Sequence, residues 1–155
     1  MRTEFAQLSS PGALSERLVG WVLTLTRWTS GAIFVGFGAG KFVNHASEAS
    51  SFQAYGLPSP GVFTYAIGVL ELVGGLLLLL GLGTRAVAAL LAGDMVGAII
   101  VSGLLREETV SLTLAPALLV AMSVLVALGP GQLSLDRALR ASRTRPCNES
   151  APHRV

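Results

Sequence analysis

The sequence predicts an all-α integral membrane protein: an antiparallel four-helix bundle with a short external interfacial helix between helices 1 and 2. Three observations carry this reading. The 155 residues are 52% hydrophobic and 13% charged, with a mean hydropathy of +0.65, whereas about a quarter of a soluble domain is charged. Four windows are almost free of charge. Arg27 is the only charge between Arg17 and Lys41, Glu71 the only one from Val62 to Leu82, Asp94 the only one between Arg85 and Arg106, and none lies between Glu108 and Asp136. Each window approaches the ~20 residues that a helix needs to cross ~30 Å of hydrocarbon.

Residues 1–16 read as a polar N-terminal lead-in, with Ser10 and Pro11 as the N-cap and first-turn pair of a short helix running into the first span. The first span, Leu18 to Gly40, is too long and too Arg-interrupted for a cleaved signal segment, so it is expected to be retained. Within it Gly20, Thr24, Arg27, Gly31, Phe34, Gly38 and Lys41 recur at spacings of four and three, which puts them on one small, polar, inward stripe. Gly36 and Gly40 add a GxxxG on a neighbouring face.

Asn44 to Pro60 is the longest internal connection. Phe52 and Tyr55, three apart, with Gly56 and Pro58 after them, predict a short amphipathic helix on the external membrane surface, placed to lid the bundle. In the second span, Val62 to Leu82, the residues Thr64, Gly68, Glu71, Gly75 and Leu78 share one stripe. The turn Gly81 to Thr84 permits only an antiparallel hairpin with the third span, Thr84 to Gly103, where Gly93 and Gly97 bracket Asp94. A polar loop, Arg106 to Glu108, leads to the fourth span, Leu112 to Leu128, which has Pro116 as an expected kink and no ionisable group. The domain division is therefore a lead-in (1–16), a four-helix transmembrane domain (17–130) and a basic, largely disordered tail (131–155).

An even number of spans puts Arg2, Arg17, Arg85, Arg137, Arg140, Arg143, Arg145 and Arg154 on one side, against Lys41 and Arg106 on the other. The positive-inside rule then places both termini in the cytoplasm of a multi-pass inner (plasma) membrane protein. The lipid bilayer is the expected partner and nucleic acid is not. The net charge of +2 comes largely from the tail, which reads as an orienting or membrane-surface patch. Cys147 is the only cysteine, so the chain has no intramolecular disulfide, CxxC redox pair or cysteine metal cluster.

The candidate site is the set of charges inside the spans. Counted from the expected cytoplasmic ends, Arg27 lies nine residues past Leu18, Glu71 eleven before Leu82 and Asp94 nine past Arg85, all roughly 14 to 16 Å deep by helical rise. A guanidinium can serve two carboxylates, so Arg27, Glu71 and Asp94 are expected to meet in one layer. Two readings stay open: a site that binds a polar head group or relays protons, and an ion cluster that only fixes helix register.

Lys41 reads as a snorkelling interface anchor and is retained as a site candidate, as are Trp28, beside Arg27, and Tyr55. His45 has no second histidine at ligand spacing, so no metal is expected. The GFGAGK segment lacks phosphate-loop spacing, and no Ser, His, Asp arrangement is credible with two histidines.

Arg27, then GFGAGK, the external YGLPSP, the run LELVGGLLLLLGLGTRAVA and finally GPGQLSLDRAL, in that order and spacing, resemble the DoxX family of small four-helix membrane proteins over about Arg27 to Leu139. On that pattern fall Arg27, Lys41, Gly56, Leu57, Pro58, Glu71, Gly74, Gly75, Gly81, Thr84, Arg85, Ser134, Leu135 and Asp136. The resemblance implies a redox-associated membrane subunit linked to quinone-dependent oxidation, with a quinone as the implied non-covalent cofactor and soluble redox or oxidative-stress proteins as implied partners. The GDMVG setting of Asp94, with no histidine further along the helix where many relatives carry one, speaks against a histidine-based proton relay.

Whether the chain is catalytic stays open; if so, it would be an oxidoreductase component acting with partner proteins. The alternatives are a structural scaffold docking a cytoplasmic partner and a proton-coupled transporter. The latter would require an oligomer or large motions, and a homo-oligomer remains open.

Overall fold

A computed structural model of the chain describes residues 11–54, 56, 59–104 and 109–136. The lead-in before Pro11, Tyr55, the Arg106 to Glu108 loop and the basic tail beyond Asp136 lie outside them. The described residues form helices and no strand: α1 (Pro11–Val43), α2 (His45–Ala54), α3 (Pro60–Leu80), α4 (Thr84–Ala98), a π-helical segment (Ile99–Leu104) and α5 (Thr109–Leu128). Three stretches, Ser15–Val43, Pro60–Leu80 and Thr84–Gly103, are long and apolar enough to cross a membrane, and Leu112–Leu128 is a shorter apolar helix. The chain is a membrane protein whose exposed surface includes Leu18, Val22, Val62, Leu90, Val120 and Leu128.

The short helix expected at Pro11 is continuous with the first span, making α1 33 residues or about 50 Å long by helical rise. Its neighbour α3 has 21 residues and is about 32 Å long. Pro60, with its φ pre-set, starts α3 two residues earlier than the apolar run does. Gly81 ends it in the left-handed region at φ 71°, where the amides of Gly81 and Leu82 close back onto the carbonyls of Leu78 (3.1 Å) and Leu77 (3.0 Å). The third span begins as expected, but from Ile99 it widens into π-helical turns.

The most extensive helix pairing is α1 against α3. It is built on the small residues of the two predicted stripes. A Cβ on Gly75 would stand 2.7 Å from the Gly31 carbonyl oxygen, and one on Gly38 would stand 2.5 Å from the Leu72 amide nitrogen. Only bare backbone allows this approach. Gly36 and Gly40, the expected GxxxG, are different: a Cβ on either would meet nothing within 4 Å among the described residues. On the other side α4 pairs with α5, and Leu78, Leu91, Met122 and Leu125 fill the centre with no exposed surface.

Gly38→Val and Gly75→Val should each destabilise the protein by about 1 to 3 kcal/mol, because backbone cannot yield as a side-chain tip can. Gly36→Val should stay within about 0.5 kcal/mol of the parent. Unfolding in detergent micelles measures all three, and equal losses would contradict the seam.

Candidate functional site

The α1–α3 seam sets which charges meet. It pairs Gly31 with Gly75, Gly38 with Gly68 and Leu72, and Lys41 with Gly68. Lys41 on α1 therefore reaches Glu71 on α3. Its Nζ donates to Glu71 Oε2 at 2.7 Å, and Glu71 is only 4% exposed. The ammonium also stands 6.0 Å from the centroid of the Phe37 ring, one turn back on α1. Lys41 thus turns inward, where the sequence suggests an interface anchor. Its place on the inward stripe, one turn from Gly38, is the signal that outweighs the snorkelling preference of lysine near a helix end.

Beside this pair is a cavity of about 360 Å³. Its walls are largely apolar, from Phe34, Phe37, Phe63, Met95 and Leu118. Asp94 on α4 lines the same space, within electrostatic range of Lys41 and Glu71, and its Oδ2 is buried with no hydrogen-bond partner among the described residues. Glu48, Ser51 and Phe52 of α2 contribute another part of the wall, and Val101 and Ser102 bring the π-helical segment to it. Glu71 and Asp94 are brought together, then, as the sequence suggests.

Arg27 does not join them. It is 14 residues from Lys41 on the same helix, about 21 Å along the axis. Its neighbour on α3 is Gly81 at the helix end, where any side chain would collide with the guanidinium. The depth count fails because it starts α1 and α3 level at Leu18 and Leu82. In the structure the longer α1 overhangs α3 at this end, so Arg27 lies alongside the last turn of α3.

Arg27, 1% exposed, is held by main chain instead. Nη1 donates to the Pro130 carbonyl at 3.1 Å, and Nη2 donates to the Leu133 carbonyl. The segment Gly129 to Asp136 folds back over this end of the helices. Gly131, at φ 77°, touches α1 so closely that a Cβ would stand 2.7 Å from Thr24 Oγ1, and the Gln132 amide donates to that hydroxyl at 3.2 Å. Asp136 completes the closure: its two carboxylate oxygens accept from the amides of Gly83 (2.9 Å) and Thr84 (3.2 Å), capping α4. Arg27 and Asp136 are the two fasteners of a clasp, within electrostatic range of each other.

Of the remaining candidates, Trp28 is exposed and does not line the cavity, and Tyr55 lies outside the described residues. His45 stacks on Tyr65 with ring centroids 4.0 Å apart. No group of three or more metal-ligating side chains occurs among the described residues. Sequence reasoning misses Glu48, Ser51 and Ser102, whose neighbourhood to the acids depends on how α2 and the π-helical segment dock. It includes Asp136 in the family pattern without a role.

A family model, DoxX, matches residues 22–104. The chain is 34% identical over 128 residues to "Uncharacterized membrane protein Rv3486" of Mycobacterium tuberculosis (strain ATCC 25618 / H37Rv), covering 74% of this chain and 78% of the relative. It is 41% identical over 76 residues to "Putative oxidoreductase CatD" of Bacillus subtilis (strain 168), covering 49% of this chain and 55% of the relative. The match to CatD thus spans little more than half of that protein's length. No solved structure matches the chain.

Two double-mutant cycles test the separation of the polar centres. Lys41→Met and Glu71→Gln should each cost roughly 3 kcal/mol and the pair together much less than the sum, because each single change strands a buried partner. Arg27→Met with Glu71→Gln should be additive to within about 0.5 kcal/mol. Coupling well above that in the second cycle would put Arg27 back beside the acids.

Proposed function

The chain belongs to the DoxX family, and on that footing we propose that it is a redox-associated membrane subunit whose cavity beside Lys41, Glu71 and Asp94 takes a quinone-like head group or passes protons. The observation that carries this reading is a charged pair and an unpartnered carboxylate oxygen facing one apolar-walled space. Ionisable groups inside a membrane are costly, and in this position they are a site by default. The naming of one relative as a putative oxidoreductase supports the redox part.

In this reading α1, α3, α4 with its π-helical extension and α5 form an antiparallel four-helix transmembrane bundle in the plasma membrane. Both termini are cytoplasmic and α2 lies on the external surface beside the cavity. The residues present fit a quinone-like group. Lys41 Nζ is a donor for a carbonyl oxygen, Phe37 and Phe63 offer ring faces, and Asp94 and Glu71 are sites that hold or release a proton. A bound quinone would supply two-electron, two-proton redox chemistry. This chain would orient the head group and exclude bulk water, and partner proteins would exchange the electrons.

A second reading, a purely structural role, is favoured at Arg27 alone, whose two described acceptors are main-chain carbonyls remote from the cavity.

Titrating the purified chain with a radiolabelled short-chain quinone should give saturable binding by equilibrium dialysis. Lys41→Met and Glu71→Gln should weaken binding at least about tenfold, the loss expected when a charged hydrogen-bonding group is removed from a buried site. A signal that does not saturate, or equal affinities in parent and variants, would count against the proposal.

A further inference from the structure

A second concavity, a groove of about 850 Å³, lies at the opposite end of α1 from Lys41. It runs between the first turns of α1 and the start of α4, and residues Leu128 to Gln132 line it too. We propose that this groove binds the phosphate of an anionic phospholipid, with Arg17 and Arg85 as its cations. The inference is independent of the redox reading, since it uses neither that cavity nor its charges.

Position is the first argument. Arg17 immediately precedes the apolar run of α1, and Arg85 is the second residue of α4. Arg85 stands where the α4 span gives way to its turn, and Arg17 lies further out on the overhanging part of α1. The groove between them therefore crosses from apolar span to polar chain, the zone in which lipid phosphates lie. Charge is the second. Among the described residues four ionisable ones line the groove: Arg17, Arg85, Glu16 and Asp136. Both oxygens of Asp136 are already engaged by the α4 amides, at the positive end of that helix, and Arg27 is within electrostatic range of it. Two guanidinium groups then face one exposed carboxylate, Glu16. Arg85 uses Nη2 on the Ala127 carbonyl at 3.2 Å, which fixes the guanidinium at the groove and leaves further N–H donors of its fork for a phosphate oxygen.

The walls give the third argument, because they distinguish a lipid from free phosphate. Val19, Leu23, Ala86 and Leu128 line the same groove, so the site continues from guanidinium into apolar surface. Inorganic phosphate gains nothing from such walls, whereas the acyl-glycerol stem of a phospholipid is buried by them. A lipid so held would bridge α1 to the start of α4 at the end where the Gly129 to Asp136 clasp joins them.

The full chain in detergent micelles, supplemented with phosphatidylglycerol, with phosphatidylcholine of the same acyl chains, or with inorganic phosphate, tests this through its unfolding midpoint. Phosphatidylglycerol should raise the midpoint by several degrees, as a ligand that binds only the folded state does, and the other two additions should not. The double variant Arg17→Gln, Arg85→Gln should lose the shift. Because Arg85 also braces Ala127, Arg17→Gln alone, a change at an exposed side chain, should cut the shift at least by half from an unaltered starting midpoint. An equal shift from phosphatidylcholine, a full shift retained in Arg17→Gln, or the same shift from inorganic phosphate would overturn the assignment.

Discussion

The close approach of α1 and α3 governs the rest of the structure. Two bare backbones meet at Gly31 with Gly75 and at Gly38 with Leu72, and side chains cannot be inserted there without moving a helix. Lipid supplies no hydrophobic drive between helices, so such contact, with the dispersion and dipole interactions it allows, is what holds a pair together. Contact this close also fixes axial register. Once register is fixed, each polar residue on α1 has one possible level on α3. Lys41 meets Glu71 and Arg27 meets the Gly81 turn.

The result is two polar centres with different chemistry at the two ends of one seam. Near Lys41 the polar groups are side chains facing a space, with an oxygen of Asp94 unsatisfied among the described residues. Near Arg27 the partners are main-chain carbonyls of a folded-back segment, and the carboxylate of Asp136 is taken up by amides. Buried polar groups without partners are expensive, and those with several are rigid. Arg27 Nε is likewise buried without a partner among the described residues. What separates the two centres is therefore what their polar groups face: a walled space at Lys41, where a ligand has something to do, and a folded-back segment at Arg27, where the chain is tied.

Much of this is legible in the residues. Composition and the four nearly uncharged windows point to membrane helices. Glycine and proline mark the ends of α3, and the inward stripes of the first two spans contain the very residues that form the seam. Those stripes also put Arg27, Lys41 and Glu71 on the correct faces. Their axial pairing is not legible, because apolar runs do not reveal how far a helix overhangs its neighbour, and α1 is about twelve residues longer than α3. Nor can the partners of Arg27 be read: a carbonyl belongs to every residue, so Pro130 and Leu133 carry no sign of being acceptors. The contribution of α2 to the cavity depends on docking, which a weakly patterned ten-residue helix does not encode.

The π-helical turns that follow α4 have a consequence for how such a cavity can be altered over generations. A π-turn holds one residue more than the α-helical turn it replaces. Removing one residue between Ile99 and Leu104 would let the ladder return to regular spacing, rotating Val101 and Ser102 off the wall while Asp94, upstream, keeps its bearing. Length changes of a single codon in this stretch are thus a way to reshape one side of the chamber without touching its charges.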